Sequence, residues 1–151
     1  MKRLWILCAI LGIGSGLTAQ SLKQVQWAYR TKKIGDRTYE VHMTANIGGD
    51  YHLYAQDPGG DGPIATTFTF KKSPLVVLDG PIRETGNLVK KFESAWNHDV
   101  RYYEKSVDFV QVVKVTGNVK THLTGKIEFM VCNDRQCLPP SQVDIQVELG
   151  G

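Results

Sequence analysis

The chain is poor in cysteine and has no long apolar run. Three cysteines in 151 residues are too few for the disulfide framework of a small secreted scaffold. The longest apolar stretch, Leu4 to Leu11, falls short of the roughly 20 residues a transmembrane helix needs, so no membrane span is expected in the mature chain. An excess of one charge is missing too. The 18 Lys and Arg nearly balance the 15 Asp and Glu, and the basic residues are scattered, which excludes the clustered patch that nucleic acid requires. There is no Cys-x-x-Cys, no internal repeat and no low-complexity linker. His42, His52, His98 and His122 have no metal-ligand spacing, and Cys132, Cys137 and one histidine fall short of the four ligands of a closed zinc site. Asp57 and Asp61 are too few for a calcium loop, and Gly59-Gly60-Asp61-Gly62 lacks the lysine and helix start of a phosphate loop. No metal or cofactor is expected.

What is present begins with a leader. Met1-Lys2-Arg3 is a short positive start, Leu4 to Leu11 is an apolar core, and Gly12 to Gly16 leads into Leu17-Thr18-Ala19. That layout is a secretory signal peptide over residues 1–19, with Ala19 as the cleavage residue. Cys8 falls inside it, and bulky Leu7 before it speaks against a lipidated cysteine. Residues 20–151 then form a single domain, expected in the periplasm, with secretion or surface association as the alternative.

The dominant period after the leader is two. Val25, Trp27 and Tyr29 alternate with polar neighbours, Ile34 to Arg37 turns, and Tyr39, Val41, Met43, Ala45 and Ile47 alternate against Glu40, His42, Thr44 and Asn46, which predicts a hairpin. Tyr51 to Tyr54 is a short strand, and 56–63 is too rich in Gly, Pro and Asp to be a regular element. Thr66 to Phe70 and Leu75 to Leu78 resume as strands, with Gly80-Pro81 ending the second. Leu88, Val89, Phe92, Ala95 and Trp96 recur at helix-like spacing and predict one short helix or an ordered loop. Val107 to Val115, Ile127 to Val131 and Val143 to Leu149 complete seven or eight strands. The fold class is all-β: an immunoglobulin-like antiparallel β-sandwich with at most one short helix.

Cys132 and Cys137 are expected at facing ends of the last hairpin, across the polar loop Asn133 to Gln136. Opposed strand residues lie about 4.5 or 5.5 Å apart at Cα, within the roughly 4.4–6.8 Å range of disulfides, so the pair can close without unfolding the hairpin. Such a small ring adds little through loop entropy, which tilts the reading toward exchange chemistry. Arg135 offers positive charge to a thiolate. A static bridge that staples an immunoglobulin-like binding or adaptor module is the alternative.

The run Phe129-Met130-Val131-Cys132-Asn133-Asp134-Arg135-Gln136-Cys137-Leu138-Pro139-Pro140 resembles the active-site hairpin of the periplasmic amino-terminal domain of the DsbD thiol:disulfide interchange family. Tyr51-His52-Leu53-Tyr54 is similar to that family's flanking aromatic strand, and Phe92 to Tyr103 stands where its cap loop lies. Four residues separate the cysteines, one fewer than in the best-known members. The resemblance implies a stand-alone immunoglobulin-like domain that takes electrons from a membrane carrier and passes them to thioredoxin-like or other periplasmic redox proteins. That would make it a thiol:disulfide oxidoreductase of the protein-disulfide reductase type. It further implies that Cys132 and Cys137 are the redox pair, with Cys137 preferred as the partner-bonding cysteine. Tyr54 would line the site, and Phe92 or Trp96 would shield it.

Overall fold

The computed structural model describes residues 19–150. The leader and Cys8 lie outside these residues, except Ala19, which opens helix α1 (Ala19–Gln24). Nine strands follow: β1 (Val25–Gly35), β2 (Thr38–Ile47), β3 (His52–Tyr54), β4 (Thr67–Phe70), β5 (Val76–Glu93), β6 (His98–Val115), β7 (Thr121–Phe129), β8 (Val131–Cys132) and β9 (Ser141–Leu149). One antiparallel sheet runs β1-β2-β6-β3-β8, with β5 along the other edge of β6, and a second runs β4-β7-β9.

The expected alternation puts Val41, Met43, Ala45 and Ile47 of β2 in one core with Ile145, Val147 and Leu149 of β9. The hairpin from β1 to β2 forms with Trp27 opposite Ala45. Trp27 closes the core from the side, packed edge-on against Phe68 and Phe129. Burial of these apolar side chains is the dominant favourable contribution to folding.

Three expectations are corrected. No helix covers Leu88 to Trp96: β5 runs on to Glu93, and residues 94–97 form the turn into β6. Leu88 and Phe92 are four apart, a spacing that places them on one face of a helix and also of a strand, and pairing with β6 decides for the strand. The turn closes with Asn97 donating its N–H to the Glu93 carbonyl (2.9 Å) and adopting φ 59°, a conformation asparagine tolerates. Gly80-Pro81 does not end β5 either. It falls in a register shift between Asp79 and Arg83, and an edge strand accommodates proline at such a shift.

The third correction concerns the cysteines. The strands of the last hairpin are β7 and β9, which pair from Thr121↔Leu149 to Phe129↔Ser141. Between them the chain leaves this sheet, so β8 pairs instead with β3 of the other sheet (Leu53↔Val131, His52↔Cys132). Phe129 to Cys132 are all buried as a result, where simple alternation expects every second residue to face water.

Candidate functional site

The crossing makes a second, smaller core. Leu53, Tyr103 and Val131 belong to the main core, whereas their chain neighbours Tyr54, Tyr102 and Cys132 join Val100 and Met130 in a separate cluster. Successive strand residues point to opposite faces, so this cluster lies on the outer face of the large sheet. Val89 and Trp96 pack against it.

Cys132 and Cys137 are bonded to each other, with Cα atoms 4.0 Å apart, and they face one another as an isolated antiparallel bridge. Cys132 is only 2 % exposed, whereas Cys137 lies exposed on the loop. The loop between them is built from its own side chains. Asn133 accepts N–H bonds from Arg135 and Gln136 on its Oδ1 (3.0 and 2.9 Å). It also donates from Nδ2 to Asp50 Oδ1 (3.2 Å). Gln136 Nε2 donates to the Tyr51 hydroxyl (3.0 Å), and the Leu138 N–H returns to the Val131 carbonyl (2.9 Å). Arg135 pairs with Asp50 Oδ2 (3.2 Å), so its charge is partly engaged away from the sulfurs. The bond from Asn133, reinforced by Arg135, holds the Asp50 carboxyl below the usual carboxylate range.

The other expected site residues separate into two groups. Trp96 sits in the outer cluster with Cys132 and Tyr54, its Nε1 donating to the Tyr54 hydroxyl (3.3 Å). It lies on Gly62, where a Cβ would run into the indole and φ is 138°, so the glycine-rich loop is the floor on which the tryptophan rests. Asp57 pairs with Arg101 and the Asp61 carbonyl with His98 Nε2 (2.8 Å), which ties that loop to the start of β6. Phe92 stays outside the cluster, 55 % exposed. Lys91 to Ala95 face Asn133 and Asp134 across a shallow groove of about 280 Å³, so the turn after β5 and the cysteine loop are neighbours.

His52 and Glu93 are functional candidates that sequence reasoning passes over. His52 is 7 % exposed, lies directly across from Cys132 and stacks on Tyr102 at 4.1 Å between ring centroids. Its Nε2 lies 3.3 Å from the Tyr54 hydroxyl and 3.4 Å from Glu93 Oε1, while Tyr54 donates to Glu93 Oε2 (3.1 Å). Burial lowers the His52 pKa from its ordinary value, opposed by the Glu93, Glu104 and Asp134 charges. Burial also raises the Tyr54 hydroxyl well above the usual phenol value. The signal in the sequence is His52 inside the Tyr51-His52-Leu53-Tyr54 strand; tested only for metal-ligand spacing, it goes unnoticed. Among the described residues no group of three or more His, Cys, Asp and Glu side chains is arranged to hold a metal ion.

The amino-terminal family of the thiol:disulfide interchange protein DsbD matches residues 19–149. The chain belongs to this family. Its structure is similar to the N-terminal periplasmic domain of ScsB from Proteus mirabilis, with TM-score 0.59, 15 % identity, and coverage of 86 % of this chain and 47 % of that one. It is also similar to the reduced DsbD n-terminal domain of Neisseria meningitidis, with TM-score 0.53, 14 % identity, and coverage of 85 % and 88 %. At these identities the likeness is one of fold, and it bears out the immunoglobulin-like sandwich. The chain spans about half the length of the ScsB domain. A search of curated proteins finds no match. The DsbD family is one of thiol–disulfide exchange and implies redox partner proteins. Among the described residues of this DsbD-type domain, no helix is long and apolar enough to cross a membrane.

Proposed function

We propose that this DsbD-type domain is exported by its leader to the periplasm. There it passes reducing equivalents from a membrane electron carrier to thioredoxin-like or other redox proteins through Cys132 and Cys137. The observation that carries the reading is the unequal burial of two bonded cysteines, one open and one enclosed by Tyr54, Tyr102 and Trp96. Exchange needs an attacking sulfur that a partner can reach and a second sulfur placed to attack the first.

In the reduced domain the Cys137 thiolate attacks the partner disulfide, forming a mixed disulfide and expelling one partner thiolate. The Cys132 thiolate then attacks Cys137 Sγ and releases the second. The partner gains two electrons, and the bond between Cys132 and Cys137 is restored. Tyr54 lines the buried side of the pair and Trp96 covers it, keeping water and small oxidants off Cys132. Phe92 shields the approach from the groove beside Asn133 and Asp134.

Redox titration against glutathione buffers tests the reading. An exchanging pair equilibrates between about −120 and −270 mV, whereas a structural bridge lies below about −300 mV. A value in the lower range would assign the domain to the alternative, a binding module with a static staple.

A further inference from the structure

Resolution of the mixed disulfide requires that Cys132 lose its proton, and Cys132 lies buried, away from bulk water. A thiol in apolar surroundings has a raised pKa, so a base beside it would speed the loss of that proton. His52 occupies the position directly across β3 and β8 from Cys132. Opposed residues share a face with Cβ atoms about 4.5–5.5 Å apart.

The hydrogen bonds fix which ring nitrogen is the base. The Tyr54 hydroxyl has one proton and donates it to Glu93 Oε2. Its oxygen therefore accepts from both Trp96 Nε1 and His52 Nε2. A neutral imidazole with its proton on Nε2 carries its lone pair on Nδ1, the nitrogen nearer the strand backbone. Glu93 Oε1, 3.4 Å from Nε2, stabilises the imidazolium once it forms. Stacking on Tyr102 holds the ring in place.

We propose that His52 is the general base for Cys132: its Nδ1 takes the thiol proton as Cys132 attacks Cys137 Sγ. The inference rests on the exchange reading above. The Cys132 S–H bond breaks toward His52, the bond from Cys132 to Cys137 forms, and the bond from Cys137 to the partner breaks. The expelled partner thiolate is protonated from the imidazolium or from water. The groups that face His52 are Glu93 and Lys91 from β5, Glu104 and Tyr102 from β6, Tyr54 from its own strand and Asp134 from the cysteine loop. Burial keeps the imidazole neutral and ready to accept.

The test is rapid mixing of the reduced protein with dithiodipyridine, which releases one coloured thione when Cys137 attacks and a second when Cys132 resolves. The variants are His52→Phe, which keeps the stacked ring, and His52→Gln, which keeps a donor to Tyr54 but has no titratable nitrogen. In both, the second release is expected to slow about a hundredfold relative to the first, the low end for loss of a general base. Its rate should then climb about tenfold per pH unit below the ordinary thiol pKa of about 8.5, a slope the wild type does not show. A merely structural histidine would leave that slope alone. If His52→Phe does not fold, His52→Gln and the wild-type slope carry the test. A second release within about twofold of wild type, with an unchanged slope, overturns the proposal. If the wild-type first release is no faster than that of free glutathione, the exchange reading falls, and the proposal with it.

Discussion

Cys132 and Cys137 share a bond but not an environment: the first is 2 % exposed and the second lies open on its loop. The asymmetry arises because β8 is drawn into the large sheet beside β3, while Cys137 stays on the exposed loop before Leu138 turns back into the core.

Replacing each cysteine with serine should therefore give different products. Cys132→Ser leaves the open thiol and removes its resolver, so a mixed disulfide with an oxidised thioredoxin-like protein accumulates and is visible on a non-reducing gel. Cys137→Ser leaves only the enclosed thiol and should trap nothing. Both should fold, losing about 2 kcal/mol of loop entropy for so small a ring, with about 1–3 kcal/mol more for the hydroxyl buried by Cys132→Ser. Denaturant unfolding checks this, and failure of either variant to fold would make the bridge structural.

The two candidate shields separate by stability. Trp96→Ala removes a ring packed against the cluster that holds Cys132 and bonded to Tyr54, and should lower stability by at least about 2 kcal/mol, somewhat less than for a fully buried tryptophan. It should also speed alkylation of reduced Cys132. Phe92→Ala, at an exposed position, should change unfolding by no more than about 0.5 kcal/mol and speed reaction of Cys137 with small disulfides. An unchanged rate would remove Phe92 from the shield.

Gly62→Ala tests the floor beneath Trp96. A side chain there meets the indole and must also adopt a φ that suits glycine, a conformation that costs on the order of 1–3 kcal/mol for other residues. The expected outcome is lower stability and a red-shifted Trp96 emission. An unshifted spectrum, recorded with Trp5 and Trp27 replaced by phenylalanine, would show that the indole does not depend on this glycine.

Acid should destabilise the domain through His52. Its folded pKa is depressed by burial, so below the ordinary histidine value of about 6.5 the unfolded chain binds a proton that the folded chain resists. Stability then falls as the pH drops from about 6.5 toward the depressed value and levels off below it. His52→Gln should lose this component, read as the difference between the two unfolding free energies at pH 7 and pH 5. Equal pH dependence in both proteins would refute it.

Most of the sandwich was legible in the sequence because its strands are half-buried. Val41, Met43, Ala45 and Ile47 alternate with polar residues, and only one register buries them. The segment from Leu88 to Trp96 was not, since a spacing of four fits both periods and its partner strand, at the start of β6, is itself irregular in pattern. Burial of Met130 and Cys132 was hidden for a different reason. A strand that crosses from one sheet to another is enclosed on both sides, and local alternation carries no sign of it. The cysteine pair was read from its motif, whereas His52 and Glu93 meet only through folding, 41 positions apart in the chain.

The pair Phe129↔Ser141 closes the last rung of β7 and β9 just where the cysteine segment departs and returns. That two-stranded ladder is therefore indifferent to how many residues lie between the cysteines. A residue added or removed between the cysteines would leave every rung of that ladder in place. The size of the disulfide ring is thus set apart from the strands that carry it.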